Sequence, residues 1–355
     1  MLKKGNMDRS KDVTIYDIAE KLELSPSTVS RALNDDPAIS QKTRKKVADT
    51  AGRMGYRSNQ FAKGLRQQQQ RSLAIGVIVD DLNSGNVISV LSGIEKVANE
   101  AGYGMIIMDS GGSAKKEISI AQNLFGRRVD GIIAFPAMDG GRTDHFKPFI
   151  EKGIPVIFLD RDGRLPRSTS VVIDNIRGGH LATTHLIEQG CRRIAHLTGP
   201  VEHPIYAHRY QGYLAALKEN DLPSDPTLLM IAEPTEEGSA AAAQALMQLR
   251  PMPDGLFVSG DLAAAVCIRV LLDHGLRVPE DVAVVGFNNE VIGKLIRPAL
   301  TTVNFPGTEM GETAARNLVK HLQGAADLGH ISTMTLRADL VIRQSSLKAE
   351  SRVAK

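Results

Sequence analysis

Residues 13–34 of this 355-residue chain read VTIYDIAEKLELSPSTVSRALN, and the stretch predicts two short helices joined by a tight turn. Ser25 followed by Pro26 marks the start of the second helix, because serine caps helix N-termini and proline is favoured at the first helical position. About three residues separate the two helices, which is the spacing of a helix-turn-helix unit. The apolar residues that recur at helical spacing are Ile15, Ile18, Ala19 and Leu22 in the first segment and Val29, Ala32 and Leu33 in the second.

The positive charge of the chain is concentrated at its N-terminus. Residues 1–72 carry 15 lysines and arginines against 8 acidic residues, whereas the remainder carries 28 against 32. Val47, Ala51 and Met54 predict a third helix in this region. The basic residues on its other face are Lys42, Arg44, Lys45 and Lys46. A small basic head on a mildly acidic body indicates a nucleic-acid partner for the head alone.

Beyond a polar bridge at residues 59–71, strand-like and helix-like segments alternate. The predicted strands are Leu73–Val79, Gly104–Met108, Val129–Phe135, Pro155–Leu159, Val171–Ile173, Arg193–Leu197, Leu228–Ile231, Gly255–Val258 and Val282–Phe287. The predicted helices between them include Val90–Ala101, Gly179–Gln189, Tyr206–Asn220 and Ala263–His274. Near-continuous apolar strands that alternate with helices indicate parallel sheets covered on both faces. Their number favours an α/β body of two doubly wound parallel-sheet subdomains.

Several classes of protein are disfavoured by the sequence. No apolar run approaches the roughly 18–20 residues of a membrane helix, and Met1–Asp12 lacks the apolar core of a secretory signal. A cytoplasmic protein without a membrane partner is therefore expected, rather than a periplasmic-type sugar-binding protein. Cys191 and Cys267 lack metal-site or disulfide spacing and are expected to be structural thiols. No GxSxG, GxGxxG, P-loop or HExxH motif occurs, so neither a cofactor nor an enzyme on a doubly wound fold is expected.

Longer motifs resemble the lactose/galactose-repressor (LacI/GalR) family of bacterial transcription regulators. The matching stretches of the head are Val13–Glu20, Ser25–Asn34, Ile39–Arg44 and Met54–Tyr56, followed by Asn59–Leu65, which resembles the hinge helix of that family. Those of the body are Gly76–Val79, Val129–Ile133, Asp160–Arg161, Asp174–Asn175, Arg209–Tyr213, Gly260–Asp261, Val278–Asn289 and Pro298–Val303. The resemblance implies an all-α helix-turn-helix head, a hinge helix and a periplasmic-binding-protein-like body.

The same resemblance implies a sequence-specific regulator, most simply a repressor, that binds a palindromic operator as a homodimer and responds to a small-molecule effector. The implied divisions are a flexible tail (1–12), a helix-turn-helix domain (13–57), a hinge helix and linker (58–72), an effector-binding and dimerisation domain (73–346) and a tail (347–355). The large domain is expected to comprise an N-subdomain of about 73–173 and 304–332 and a C-subdomain of about 174–303 and 333–346. The tail lacks the heptads of a tetramerising coiled coil, which favours a dimer.

DNA contacts follow from the resemblance. The positions implied at base edges are Pro26, Ser27 and Arg31. Those that resemble phosphate contacts are Thr14, Tyr16, Ser25, Thr28, Asn34, Ser40 and Tyr56. In the hinge, Asn59 and Ala62 are implied to touch DNA, and Leu65 resembles a wedge that enters the minor groove. Because the hinge spans about two turns, it is expected to fold only on DNA beside a second copy. The alternative for the head is a surface arginine beside helix-capping hydroxyls.

Polar residues just after the predicted strands form the candidate effector site, because ligands of open parallel sheets bind at the carboxyl ends of strands. The candidates, which also resemble the effector contacts of the family, are Asp80, Ser84, Asp160, Arg161, His203, Arg209, Gly260, Asp261 and Asn288, with Asp81 and Asn289 beside them. Carboxylates, amides and an arginine suit a hydroxyl-rich ligand. The alternative for each residue is a strand-end cap or a salt bridge between subdomains.

Departures from the family pattern refine these expectations. Residues 84–87 replace an Asn-Pro-Phe-Phe motif of many relatives, so the aromatic stacking platform that this motif supplies for a sugar is expected to be missing. Asn288 replaces a frequent aspartate and adds a hydrogen-bond donor. His203 and Ile205 occupy positions of polar contacts in purine-binding members, which favours a sugar or sugar derivative over a purine. Glu23 lies in the turn of the head, where left-handed backbone would cost about 1 kcal/mol.

Overall fold

The structure, a computed structural model, describes residues 13–56, 72–137, 142–163 and 165–348. The chain divides into two compact units, a head that ends at Ser72 and a body that begins at Leu73. The hinge positions Asn59, Ala62 and Leu65 lie outside the described residues, as do residues 1–12 and 349–355. The expectations for those segments therefore stay predictions.

Three helices with one shared apolar core make up the described part of the head. They are α1 (Ile15–Leu22), α2 (Pro26–Leu33) and α3 (Gln41–Met54). Ile18, Val29 and Val47, one from each helix, are fully buried. The predicted cap of α2 is confirmed, because the Ser25 hydroxyl accepts the Thr28 N–H at 3.1 Å. Glu23 has φ 53°, so the expected left-handed residue is also confirmed.

Two six-stranded sheets form the body. The strands of the first sheet are β1 (Ala74–Val79), β2 (Gly104–Asp109), β3 (Gly131–Ala134), β4 (Val156–Leu159), β5 (Thr169–Ile173) and β11 (Thr333–Leu336). Those of the second sheet are β6 (Ile194–Thr198), β7 (Leu229–Ile231), β8 (Gly255–Val258), β9 (Ala283–Asn288), β10 (Thr301–Asn304) and β12 (Asp339–Val341). Their orders are β11-β5-β4-β3-β1-β2 and β12-β10-β9-β8-β6-β7.

The pairing of the strands confirms the two doubly wound subdomains. β12 runs antiparallel to β10, and the other strand pairs among the described residues are parallel. Strands β3, β4, β6 and β8 are buried along their whole length, as near-continuous apolar strands require when helices cover both faces.

Helices connect the strands of the body. They are α4 (Gly85–Glu100), α5 (Ala114–Gly126), α6 (Lys147–Glu151), α7 (Asn175–Glu188), α8 (Pro204–Glu219), α9 (Glu236–Gln248), α10 (Asp261–Asp273), α11 (Ile292–Leu295) and α12 (Gly307–Leu322). Among the described residues, none of the helices combines the length and the apolar character that a bilayer crossing demands. Cys191 and Cys267 are both buried free thiols, as expected.

Each subdomain contains one pair of helices that touch through glycines. In the first, a Cβ added at Gly93 of α4 or at Gly311 of α12 would overlap backbone atoms of the partner helix. In the second, the same holds for Gly179 of α7 and Gly212 of α8. Only glycine allows backbones to approach this closely. The α7–α8 contact also brings Asn175, at the start of α7, to the side chain of Arg209 on α8.

The chain crosses between the two sheets after β5, after β10 and after β11, within the described residues. The last crossing corrects the subdomain boundary expected at 332/333. β11 pairs in parallel with β5, from Thr333 opposite Ser170 to Leu336 opposite Ile173, and so belongs to the first sheet. The short threonine-containing strands β10 and β11 were not predicted, because neither has the apolar run that identifies a buried strand.

Candidate functional site

One candidate surface lies on the head, where Arg31 of α2 is half-exposed. Its Nε donates to Asp36 Oδ2 at 2.8 Å, and the same Asp36 side chain accepts the Ala38 N–H at 2.9 Å. This hydrogen bond raises the pKa of Arg31 and lowers the pKa of Asp36. Within the described residues, the two terminal guanidinium nitrogens of Arg31 make no hydrogen bond. The pair therefore orients the guanidinium and leaves two donors for the acceptors of a guanine edge.

The hydroxyls of the head that were predicted to touch phosphates also cap helices. Thr14 and Asp17 form a reciprocal capping box at α1, and Ser25 and Ser40 cap α2 and α3. The capping alternative thus applies to these hydroxyls, and their DNA contacts stay predictions. The exposed members of the predicted set are Thr14, Tyr16, Ser25, Ser27, Arg31, Asn34 and Ser40, whereas Pro26, Thr28 and Tyr56 are partly buried.

The second candidate site is a cavity of about 160 Å³ between the carboxyl ends of the two sheets of the body, called the inner cavity below. Predicted residues from both subdomains line it. They are Asp80 after β1, Ser84 before α4, Asp160 and Arg161 after β4, Arg209 on α8 and Asn288 at the end of β9. The structure therefore brings six of the predicted effector residues together at one place.

Arg209 is the buried cation of the inner cavity. Its Nε donates to Asn175 Oδ1 at 2.9 Å, and Nη1 donates to the Ser259 carbonyl at 2.7 Å. Its guanidinium carbon lies 3.6 Å from the centre of the Phe287 ring. Burial lowers the pKa of Arg209 to about 10, so it remains protonated at neutral pH. The site thus holds a fixed positive charge with one terminal nitrogen that is not hydrogen-bonded within the described residues.

Asp160 supplies the matching acceptor. Its Oδ1 is buried and has no hydrogen-bond partner among the described residues. Burial raises the pKa of Asp160, whereas the charges of Arg161 and Arg209 oppose that rise. Buried polar atoms are nearly always paired in folded proteins. An acceptor in this state is suited to a donor that a ligand brings into the inner cavity.

Arg161 and Asp80 form an ion pair, although the buried Nε of Arg161 has no hydrogen-bond partner among the described residues. Arg161 Nη2 donates to Asp80 Oδ2 at 2.6 Å, and Nη1 donates to the carbonyl of Pro136. The salt-bridge alternative therefore applies to both residues, although the bridge lies within the first subdomain rather than between the two. It ties the segments that follow β1, β3 and β4 into one wall of the inner cavity.

Three aromatic residues of the inner cavity were missed, and they lie outside residues 84–87, where the aromatic motif of many relatives is indeed replaced. Phe135, Tyr206 and Phe305 all line the cavity. Phe135 and Phe305 directly follow β3 and β10, and Tyr206 lies three residues before Arg209 on α8. The end of a predicted strand at Phe135 and the helical spacing of Tyr206 from Arg209 were visible in the sequence, whereas Phe305 follows β10, which was not predicted. The other lining residues are Asn86, Val87 and Ile205, which lie at positions noted in the sequence as departures from the family pattern but were not among the candidate contacts.

Asp261, Gly260 and His203 are not among the residues that line the inner cavity, contrary to expectation. Asp261 is fully buried; its Oδ1 accepts the Thr302 hydroxyl at 2.6 Å and its Oδ2 accepts the Glu290 N–H at 2.7 Å. It therefore ties the loop after β9 to β10. Gly260 and His203 instead precede the first residues of α10 and α8.

Replacing Asp261 with alanine is expected to lower the free energy of unfolding by about 1–3 kcal/mol, because the Thr302 hydroxyl and the Glu290 N–H lose their acceptor. Urea denaturation measures this difference. Asp273→Ala, at the exposed end of the same helix, is the matched control. Equal stabilities of the two variants would show that the buried carboxylate contributes nothing.

Comparison with known proteins adds independent findings. Residues 14–59 match the family described as bacterial regulatory proteins, lacI family, and residues 183–346 match the periplasmic binding protein-like domain. The chain is 33% identical over 313 residues to catabolite control protein A of Priestia megaterium, which covers 88% of this chain and 93% of that protein. The lac repressor dimer bound to operator and the anti-inducer ONPF superposes with a TM-score of 0.83 at 26% identity. The superposition covers 95% of this chain and 100% of the repressor chain. A transcriptional regulator CelR–cellobiose complex superposes with a TM-score of 0.70 at 29% identity. The superposition covers 94% of this chain and 99% of the regulator chain.

Proposed function

Because the chain belongs to the lacI family of bacterial regulatory proteins, we propose that it represses transcription by binding a palindromic operator as a homodimer, under the control of a small saccharide. The proteins it resembles are transcription regulators, and the proposal includes no enzymatic activity. The observation that carries the proposal is the combination of a helix-turn-helix head with a body whose inner cavity holds an unsatisfied buried acceptor beside a buried arginine.

The head supports the DNA-binding part of the proposal. α2 presents Ser27 and Arg31, and Asp36 holds the guanidinium by its Nε. The major groove admits a helix, and a pair of terminal N–H donors matches the O6 and N7 acceptors of guanine. The similarity to a lac repressor dimer bound to operator supports a paired arrangement on two half-sites.

The inner cavity supports a saccharide as the effector. Asp160 accepts hydrogen bonds, Arg209 donates them, and Asn288 does both, which suits neighbouring hydroxyls. Phe135, Tyr206 and Phe305 add aromatic rings to the lining, which the apolar side of a sugar ring can contact. The similarity to a regulator bound to cellobiose points to the same class of ligand.

Control of DNA binding is proposed to work through the relative orientation of the two subdomains. A ligand in the inner cavity touches residues of both subdomains, so it favours the orientation in which those contacts are complete. The orientation in turn sets the separation of two hinges in a dimer. Hinges held together fold on the minor groove, and hinges held apart release the DNA.

Selection of duplexes from a random pool by the full-length protein tests this function. The wild-type protein is expected to enrich a two-fold symmetric sequence. Arg31→Ala is expected to weaken binding to that sequence roughly 5- to 150-fold and to relax the preference at one base pair of each half-site. Arg250→Ala, which removes the same charge from an exposed position of the body, is the control. An enriched sequence without two-fold symmetry would contradict the dimer, and no enrichment at all would contradict the DNA-binding function.

A further inference from the structure

A second cavity lies beside the inner one. This outer cavity has a volume of about 600 Å³ and shares the lining residues Asn86, Asn288 and Phe305 with the inner cavity, so the two are adjacent. Its walls are the start of α4, the loop from β9 to α11 and the crossing from β10 to α12. Ligand pockets usually measure about 300–1,000 Å³. The inner cavity alone falls below this range, and the outer cavity lies within it.

The outer cavity has the lining of a neutral, hydroxyl-binding site. The polar residues that line it without touching the inner cavity are Ser89, Asn289, Glu290, Lys294, Asn304, Thr308 and Glu309. Amides and hydroxyls both donate and accept hydrogen bonds, as a polyol requires. The charged members include both signs, with two carboxylates and one ammonium, so the lining forms no basic cluster for a phosphate. Phe305 adds an aromatic ring at the boundary between the two cavities.

An apolar rim completes the outer cavity on the side of the second subdomain. Val291 and Ile292 line it, and the Val291 side chain is 66% exposed. Exposed apolar groups beside hydrogen-bonding groups match the alternating C–H and O–H surfaces of a sugar ring. The outer cavity therefore has the same mixture of groups as the inner one.

From these observations we infer that the effector is a neutral saccharide of at least two units, with one unit in the inner cavity and the next in the outer cavity. The inference rests on the saccharide effector of the proposed function and names its class. The first unit would contact Asp160, Arg209 and Tyr206. The second unit would lie between the start of α4 and the loop after β9.

Two substitutions fill the outer cavity from opposite walls. Gly85 is the first residue of α4, and a Cβ added there meets no atom within 4 Å among the described residues. Gly85→Leu therefore adds bulk without displacing a neighbour, and Val291→Trp enlarges a residue of the opposite wall that is 66% exposed. Gly126→Leu is the matched control, since a Cβ at Gly126 also meets open space. Leu295→Trp controls for the loop, because Leu295 is 69% exposed and is not among the residues that line the cavity.

The experiment is isothermal titration of the full-length protein with cellobiose, maltose and lactose, with glucose and galactose, and with glucose 6-phosphate. We expect at least one disaccharide to bind about tenfold more tightly than its constituent monosaccharides. Gly85→Leu and Val291→Trp should lower that affinity by about tenfold or more, and should leave monosaccharide binding and both control variants within about twofold of wild type.

Three results would overturn the inference: a monosaccharide or the phosphorylated sugar that binds as tightly as every disaccharide, blocking variants that bind like wild type, or no binding of any saccharide. Enrichment of a symmetric duplex, measured on the same protein, reports separately on the DNA-binding function. If the inference fails while the protein still enriches a symmetric duplex, the protein is a DNA-binding regulator whose effector is of another class.

Discussion

Replacing Arg209 with alanine is expected to abolish saccharide binding and to lower the free energy of unfolding by about 3–5 kcal/mol. The Asn175 Oδ1 and the Ser259 carbonyl lose their donor, and Phe287 loses the cation above its ring. The Asp160 carboxylate also loses one of the two positive charges that oppose its desolvation. Removing one partner from a buried charged cluster lowers the free energy of unfolding by more than the intact cluster adds to it, because the other charge stays buried without compensation.

Urea denaturation and saccharide titration together measure both effects. Arg209→Lys keeps the positive charge but lacks the planar fork of donors. This variant should therefore regain part of the stability and little of the binding. Arg316→Ala is the control, since the Arg316 side chain is 53% exposed and its Nη2 lies 3.6 Å from Glu312 Oε2. An alanine variant with wild-type saccharide affinity would rule out Arg209 as a ligand contact.

Lowering the pH from 6.5 to 4 is expected to lower the free energy of unfolding of the body by roughly 3 kcal/mol through His196 alone. The ring is fully buried on β6, 4.5 Å from the ring of Phe257 and 5.2 Å from that of Tyr213, measured between centroids. Burial lowers the pKa of His196 to about 3 from its ordinary value of 6.5. Between these two values the unfolded chain binds a proton and the folded chain does not. The contribution of His196 is therefore complete above pH 6.5 and falls by about 1.4 kcal/mol for each pH unit below it.

His196→Phe tests this expectation, because phenylalanine keeps a flat ring in the stack and removes the titration. Unfolding of both proteins by urea at several pH values gives the difference in slope. Burial raises the pKa of Asp261 to about 6, so Asp261 acts in the opposite direction and stabilises the fold as pH falls. That contribution is common to both proteins and cancels in their difference. Parallel loss of stability in the two proteins would show that another group governs the acid response.

The predictable parts of the fold are those that a short stretch of sequence identifies by itself. Ser25 and Pro26 identify the start of α2 without reference to the rest of the chain. The apolar strands of both sheets are visible as runs, because burial on both faces favours apolar residues at successive positions. β11 could not be assigned to its sheet in this way, because its pairing with β5 joins residues that are distant in the chain.

In the candidate effector site, too, some residues could be predicted from their place along the chain and others could not. The rule that ligands bind at the carboxyl ends of strands found Asp80, Asp160 and Asn288, which line the inner cavity. Asp261 also follows a strand, yet it is held inward by Thr302 and Glu290. Which of two carboxylates faces a cavity depends on the neighbouring strands and loops. The spacing of residues along the chain does not contain that information.

The glycine contacts of the body have a mechanical consequence. Gly93 and Gly311 in one half, and Gly179 and Gly212 in the other, set backbone against backbone in α4–α12 and α7–α8. If one helix of a pair slid along the other, a residue larger than glycine would reach the contact and its side chain would overlap the backbone of the partner helix. Sliding of these helices against each other is therefore blocked. We therefore expect each half to move as a unit, with the bending between the halves located in the three connecting segments. A saccharide bound as proposed in the inner cavity would then act as a spacer between the two halves.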